Sequence, residues 1–261
     1  MSQRKKAVSA SQNKTQRRSQ VSLDEDDEDA HFSQITSSQV QRARENYTSD
    51  QIDRKVAEVV QFILIKDQKK IPIRRADIGK HVIKEYKAIY TEIMNRVFRK
   101  FDQVFGLKLV EIDSKNHIYI LINKLEPIHG EPVNMRPGNP KTGLLFVILS
   151  VIFMKGGVVK ENTVWNTLKK LRVDPGEKHD EFGDVKKVVT DEFVRQKYLE
   201  YVKIPHTDPV ECEFRWGLRA EKEVSKLKLL DFVGELFDQD PQSWTQQFRD
   251  ASAAETSSQR S

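Results

Sequence analysis

A chain of 261 residues, 38% of them hydrophobic and 32% charged, has room for one large core or two small ones beneath a heavily solvated surface. Its longest apolar stretch, Leu144 to Met154, falls short of the roughly 20 residues that cross a bilayer, and Met1-Ser2-Gln3-Arg4-Lys5-Lys6 has no apolar run behind it, so neither a membrane span nor a secretory leader is expected. The net charge of +5 arises between residues 31 and 249, which carry +6; this points to a polyanionic partner or to Lys-rich solubilised faces. A single cysteine, Cys212, excludes an internal disulfide framework and fits a reducing, intracellular compartment. The glycosylation triplets at Asn13 and Asn46 would meet no modifying enzyme there.

Residues 1–48 are polar and too poor in large apolar groups to offset their ordering entropy, so a disordered tail is expected. Six basic residues (Arg4, Lys5, Lys6, Lys14, Arg17, Arg18) are balanced by the acidic run Asp24 to Asp29. Ser-Gln pairs start at Ser2, Ser11, Ser19, Ser33 and Ser38, with Thr15-Gln16 besides. They resemble clusters favoured by DNA-damage-response kinases, although a Ser- and Gln-rich composition also generates such pairs.

The first block, 49–124, opens with a helix over Ile52–Lys66, on which Ile52, Val56, Val59, Val60 and Ile63 keep helical spacing. A short segment Arg75–Val82 follows Pro72. Ile89, Ile93, Val97, Phe101 and Val104 then mark one face of a longer helix closed by Gly106. Leu107–Asn123 alternates around a polar turn at Asp113–Asn116, which predicts a hairpin. Leu125–Gly143 holds four prolines and three glycines, and the linker is set at 125–142.

The second block, 143–240, repeats the order. Leu144–Met154 reads as a buried helix stopped by Gly156 and Gly157. Glu161–Leu171 and Asp184–Val194 are amphipathic, and Lys178–Asp184 is expected to cap the latter. Tyr198–Ile204 and Glu211–Gly217 read as strands, and a last helix spans about Leu218 to Phe237. Residues 241–261 are expected to form a second tail. Helix, helix, helix, hairpin, twice over, predicts a mainly α fold with small β-hairpins: tandem winged helices flanked by disordered tails.

Three strings now carry a resemblance: "LLFVILSVIFMKGGVVKENTVW" (Leu144–Trp165), "KYLEYVKIPHTDPVECEFRWGLRA" (Lys197–Ala220) and "SKLKLLDFV" (Ser225–Val233). They look like the MAGE homology-domain family. With "QFILIKDQKKIPIRRADI" (Gln61–Ile78), the match extends over about 50 to 240 and is most like the MAGE subunit of an SMC complex. The family's usual "WGPRA" reads Trp216-Gly217-Leu218-Arg219-Ala220 here, which loses a helix-starting proline. The resemblance implies a non-enzymatic adaptor of chromosome maintenance and DNA repair, nuclear and chromatin-associated. It would bind a RING-type ubiquitin ligase subunit and a kleisin subunit, and contact double-stranded DNA without reading sequence.

The family's paired aliphatics for the RING partner fall at Ile63 and Leu64. Neighbours on a helix point about 100° apart, so this greasy turn is either wholly buried or meets a partner; periodicity favours burial and the resemblance favours the partner. The kleisin contact falls on Leu227, Leu230 and Phe232. Lys66, Lys69, Lys70, Arg74, Arg75, Arg96, Arg99 and Lys100 are the basic residues expected to face phosphates. Helix starts at Glu85-Tyr86-Lys87 and Asp184 are poorly equipped for base readout. The six histidines show no metal-ligand spacing and Cys212 has no Cys-x-x-Cys neighbour, so no catalytic residue, metal or cofactor is expected. Two alternatives stand beside this reading: a MAGE protein recruiting substrates to a ligase outside any SMC complex, and a winged-helix transcription regulator.

Overall fold

The computed structural model describes residues 41–42, 44–124 and 139–258. The expected tail up to residue 40, with its Ser-Gln pairs, and the linker residues 125–138 lie outside the described residues. The chain divides into two compact units. The first runs to Leu121 apart from Lys69–Pro72; the second comprises that tetrapeptide and Ile122 onwards.

In the first unit, α1 (Ser49–Gln68) buries Ile52, Val56, Val59, Val60 and Ile63, the stripe its spacing foretells. A two-residue strand β1 (Ile73–Arg74) leads into α2 (Arg75–Ile78), which runs on through a π-helical turn at Gly79–Ile83. After a 3₁₀ turn (Lys84–Ile89) comes α3 (Tyr90–Lys100). Strands β2 (Leu107–Asp113) and β3 (Ile118–Asn123) form the wing, with β1 paired antiparallel to β3 through Ile73–Tyr119 and Arg74–Ile118. The turn forms where its polar residues predict, because the Asp113 carboxylate accepts from the Lys115 and Asn116 backbone N–H groups at 3.0 and 3.1 Å. The unit begins earlier than expected. Tyr47 stacks on Tyr86 at 4.3 Å and donates to the Glu85 carbonyl, so the structured part reaches into the span assigned to the tail.

One residue departs instructively from its expected place. Val104 belongs to the inward stripe by spacing, yet it is 61% exposed and Phe105 39%. The end of the helix is a π turn, Phe101–Phe105, in which the Gly106 N–H bonds the Phe101 carbonyl. One extra residue per turn rotates everything after Phe101 away from the α-helical face.

The second unit repeats the pattern: α4 (Pro140–Met154), β4 (Val158–Lys160), α5 (Glu161–Lys170), then the small ribbon β5 (Lys178–His179) and β6 (Gly183–Asp184). Gly156 and Gly157, at φ +88° and +93°, stop α4, as left-handed positions favour glycine. Asp184 caps α6 (Val185–Lys187) through the Lys187 N–H, as expected; a π turn Val188–Glu192 and α7 (Phe193–Arg195) follow. Strands β7 (Leu199–Lys203) and β8 (Cys212–Trp216) make the wing, with β8 central between β4 and β7. Each unit is thus a helix–strand–helix–helix–hairpin assembly, and the chain is a mainly helical pair of winged helices. The short strands β1 and β4 are absent from the sequence reading because two or three residues show no alternation.

The Arg195–Glu223 stretch closes the second core. Trp216 donates its indole N–H to the Leu149 carbonyl of α4 at 2.9 Å. Tyr201 donates to Glu161 at 2.8 Å and stacks on Phe214, tying β7 to α5. Burial first, then hydrogen bonding to Cys212 and Glu161, raises the Tyr201 phenol above its ordinary range. Gly217 faces the Lys197 carbonyl so closely that a Cβ there would lie 2.3 Å from its oxygen. Arg219 has no accessible surface; its guanidinium donates to the Gln196 and Lys70 carbonyls at 2.8 and 3.1 Å, both in this unit, and lies over Tyr198.

Two expectations are corrected here. The helix expected over about Leu218 to Phe237 is two helices, α8 (Leu218–Glu223) and α9 (Lys226–Phe237). Val224 is extended, and Ser225 caps α9 by accepting from the Lys228 N–H. Residues 241–258, expected as tail, instead hold a 3₁₀ turn (Pro241–Ser243) and α10 (Thr245–Ser258). Ala251 is 1% exposed, and Trp244 and Phe248 pack on the same core, so α10 completes it.

Gly217→Ala is expected to destabilise the second unit by at least about 2 kcal/mol, because the clash is with backbone that cannot swing aside. All three tryptophans (Trp165, Trp216, Trp244) lie in this unit, so urea unfolding followed by their fluorescence reads the loss directly.

Candidate partner-binding surfaces

The first surface lies on the first unit, between α1 and α3. Ile63 is in the core with no exposure, whereas Leu64 is half-buried and Ile65 is 56% exposed. The two adjacent aliphatics of the expected RING contact therefore do different things, as their angular separation requires. Ile63 supports the helix from within. Leu64 lines an open groove of about 430 Å³ with Val60, Ile65 and Phe105, edged by Asp53, Arg96 and Lys100. The exposure of Phe105, which the π turn produces, supplies the groove's far wall. Sequence periodicity gives no sign of it.

The second surface is the outer side of α9. Leu229 and Leu230 have no exposure and Val233 has 5%. Of the expected kleisin residues, Leu230 is thus core, Leu227 is half-buried, and Phe232 is 46% exposed. Phe232 meets Phe146 of α4 edge-on at 5.1 Å, and Leu236 and Phe237 continue the apolar stripe at 67% and 63% exposure. A run of large apolar groups in water on one helix face marks a contact surface. Leu236 and Phe237 lie in the apolar run of the last helix but outside the residues expected to bind; only exposure singles them out.

The basic residues divide by what they already hold. Arg96 is committed within the first unit, donating to Asp53 at 2.8 Å and to Glu92 at 2.9 Å. The Glu92 hydrogen bond, then the Asp53 one, raise its pKa further. Lys66 stands 4.0 Å from Asp77 and over the Phe62 ring, and Arg75 lies over Tyr90. Arg74, Arg99 and Lys100 are exposed. Lys69, exposed, and Lys70, half-buried, belong to the tetrapeptide of the second unit. Arg99 and Lys100 are one helical step from Arg96 on the same side of α3, so they carry the uncompensated charge there. Among the described residues no group of three or more His, Cys, Asp or Glu side chains could hold a metal ion, and no helix is long and apolar enough to cross a membrane.

With two winged helices and two outward apolar surfaces in view, the comparisons define the class. The MAGE homology domain model matches residues 59–227, and the chain belongs to that family. It is 53% identical over 207 residues to the human "Non-structural maintenance of chromosomes element 3 homolog", covering 78% of this chain and 68% of that protein. The Mus musculus protein of the same name is 50% identical over 215 residues, covering 82% of this chain and 77% of that one. A solved chain from the "Nse1-Nse3-Nse4 complex" superposes with a TM-score of 0.75 at 59% identity, over 79% of this chain and 100% of that one.

Ile63→Ala is expected to cost about 2–4 kcal/mol through the cavity it leaves, while Ile65→Ala changes stability by less than about 0.5 kcal/mol. Thermal unfolding followed by circular dichroism separates the two; equal losses would place Ile65 in the core as well.

Proposed function

We propose that this chain is the MAGE-type adaptor subunit of an SMC complex in chromosome maintenance and DNA repair, and that it works in the nucleus on chromatin. The observation that carries this reading is the match, over 79% of this chain and the whole of the other, to a solved chain from the Nse1-Nse3-Nse4 complex. Such an assembly supports two protein partners, and the family resemblance implies their classes: a RING-type ubiquitin ligase and a kleisin. The α1/α3 groove with Leu64 and Ile65 is the surface we assign to the ligase, Ile63 bracing it from below. The outer face of α9, with Leu227, Phe232 and Leu236, is assigned to the kleisin, over the buried Leu230. Arg99 and Lys100, with Lys69 and Arg74, contribute sequence-independent contacts to duplex phosphates.

The mechanism is positional. Holding a ligase and a DNA-associated clamp on one chain raises the effective concentration of one near the other. It requires rigid, correctly spaced surfaces and no bond chemistry from this chain.

Leu64→Asp with Ile65→Asp is expected to abolish co-purification of the RING subunit and spare the kleisin; Phe232→Asp with Leu236→Asp is expected to do the reverse. Both variants should keep the parental circular dichroism spectrum. Recovery of a RING ligase with a soluble substrate and no kleisin would overturn the SMC assignment. Arg99→Glu with Lys100→Glu is expected to weaken binding to unrelated duplexes equally, by about tenfold at low salt. A loss confined to one sequence would instead favour base readout.

A further inference from the structure

A recess of about 350 Å³ in the second unit shares no residue with either partner surface assigned above. It forms where the end of α4, the glycine stop, strands β7 and β8, and helices α8, α9 and α10 come together, with Phe153 and Trp216 as its apolar wall. Gly156 and Gly157 also line it, and a Cβ on either would meet nothing within 4 Å, so bare backbone borders open space there.

Five charged side chains line the recess, and they do not balance. The Arg215 guanidinium is engaged by Glu213, its neighbour but one on β8, and the Lys226 ammonium by Glu221 at 2.6 Å. Glu200 and Asp250 remain. Asp250 accepts from the neutral Gln246 amide at 3.0 Å. Glu200, exposed on β7, has no hydrogen bond or ion pair among the described residues. Lys226 shows how the recess receives a cation: its ammonium stands 5.1 Å from the centre of the Trp216 ring while it holds Glu221.

We propose that this recess takes an arginine side chain of a partner protein, its guanidinium held by Glu200 and Asp250 beside the Trp216 wall. A guanidinium suits it better than an ammonium, because its planar fork bonds carboxylates in pairs and its faces lie flat on apolar or aromatic walls. The two free carboxylates also select the class of partner: they repel a phosphate backbone, so the recess is a protein contact and not a nucleic-acid one. Val158 and Val202, 42% and 39% exposed, stand close by on the wing. Val158 pairs with Arg215, and Val202 follows Glu200 on the same face of β7. They offer apolar contact to the residues flanking the arginine. Asp250 stands on α10, beyond the family-model match at residues 59–227, so a part of the chain outside that match completes the recess. The proposal needs neither the ligase nor the kleisin assignment.

The test follows the full chain, isotopically labelled for NMR, during titration with the blocked tripeptide acetyl-Val-Arg-Val-amide and, in parallel, with acetyl-Val-Gln-Val-amide. The arginine peptide is expected to shift the backbone amide signals of Gly156 and Gly157 and the indole N–H of Trp216. It should bind at least about tenfold more tightly than the glutamine peptide at low salt. Glu200→Gln with Asp250→Asn, both at exposed positions, should remove that preference while the circular dichroism spectrum stays parental. Lys226→Gln, which frees Glu221 and uncovers the ring, should tighten arginine binding. The Leu64, Ile65 and the Phe232, Leu236 double variants should bind the arginine peptide as the parent does, so failure of either partner assignment leaves this result unchanged. Shifts that avoid the Gly156, Gly157 and Trp216 signals, or equal affinity for the two peptides, would overturn the proposal. So would parental arginine binding in the Glu200, Asp250 variant, or weaker binding in the Lys226 one.

Discussion

The second unit depends on a place where two backbone segments come too close for any side chain to separate them. Gly217 sits against the Lys197 carbonyl, and its own N–H bonds the Tyr198 carbonyl at 2.8 Å. That approach fixes how the end of the wing meets the segment before it, and it brings Arg219 inside. A guanidinium without access to water is tolerable only when its donors are used. Here backbone carbonyls, Glu223 and the Tyr198 ring surround it. Leu218 can replace the proline usual in this family because the residue is 38% exposed and only begins a helix. Gly217 and Arg219 have no such freedom.

With the core closed by this junction and by the Trp216 bond to α4, hydrophobic residues that remain outside are surplus to folding. That makes Phe232, Leu236 and Phe237 meaningful, since the same helix sends Leu229, Leu230 and Val233 inward with at most 5% exposure. In the first unit α1 shows a similar economy. Its five buried residues suffice to hold it, and Leu64 and Ile65 stand aside from that row. The adaptor role proposed above needs this division between residues that hold the fold and residues free to hold a partner.

Much of the fold was legible in the sequence because most elements follow the two ordinary periods. The stripe of α1, the hairpin turn at Asp113 and the glycine stop after α4 are local events with local causes. What escaped were departures from those periods. The π turn after Phe101 adds one residue and turns Val104 and Phe105 outward. Ser225 breaks the last helix, and an N-cap serine ahead of Leu227, Leu230 and Val233 was a readable sign of it. Trp244, Phe248 and Ala251 stand four and three residues apart, also readable, but polar neighbours obscured them. For the surfaces, the sequence pointed to particular turns of helix and could not divide them into inward and outward residues. Whether Ile63 or Leu64 points inward depends on which side the rest of the unit covers, and that is decided by tertiary packing.

The position of α10 has a consequence for where this protein ends as a physical object. The match to the family model stops at residue 227, yet the side chains that seal the core run on to Ala251. A fragment trimmed to residues 59–227 would retain most of the hallmark strings while missing part of its hydrophobic wall, so its stickiness would reflect injury and could be mistaken for recognition.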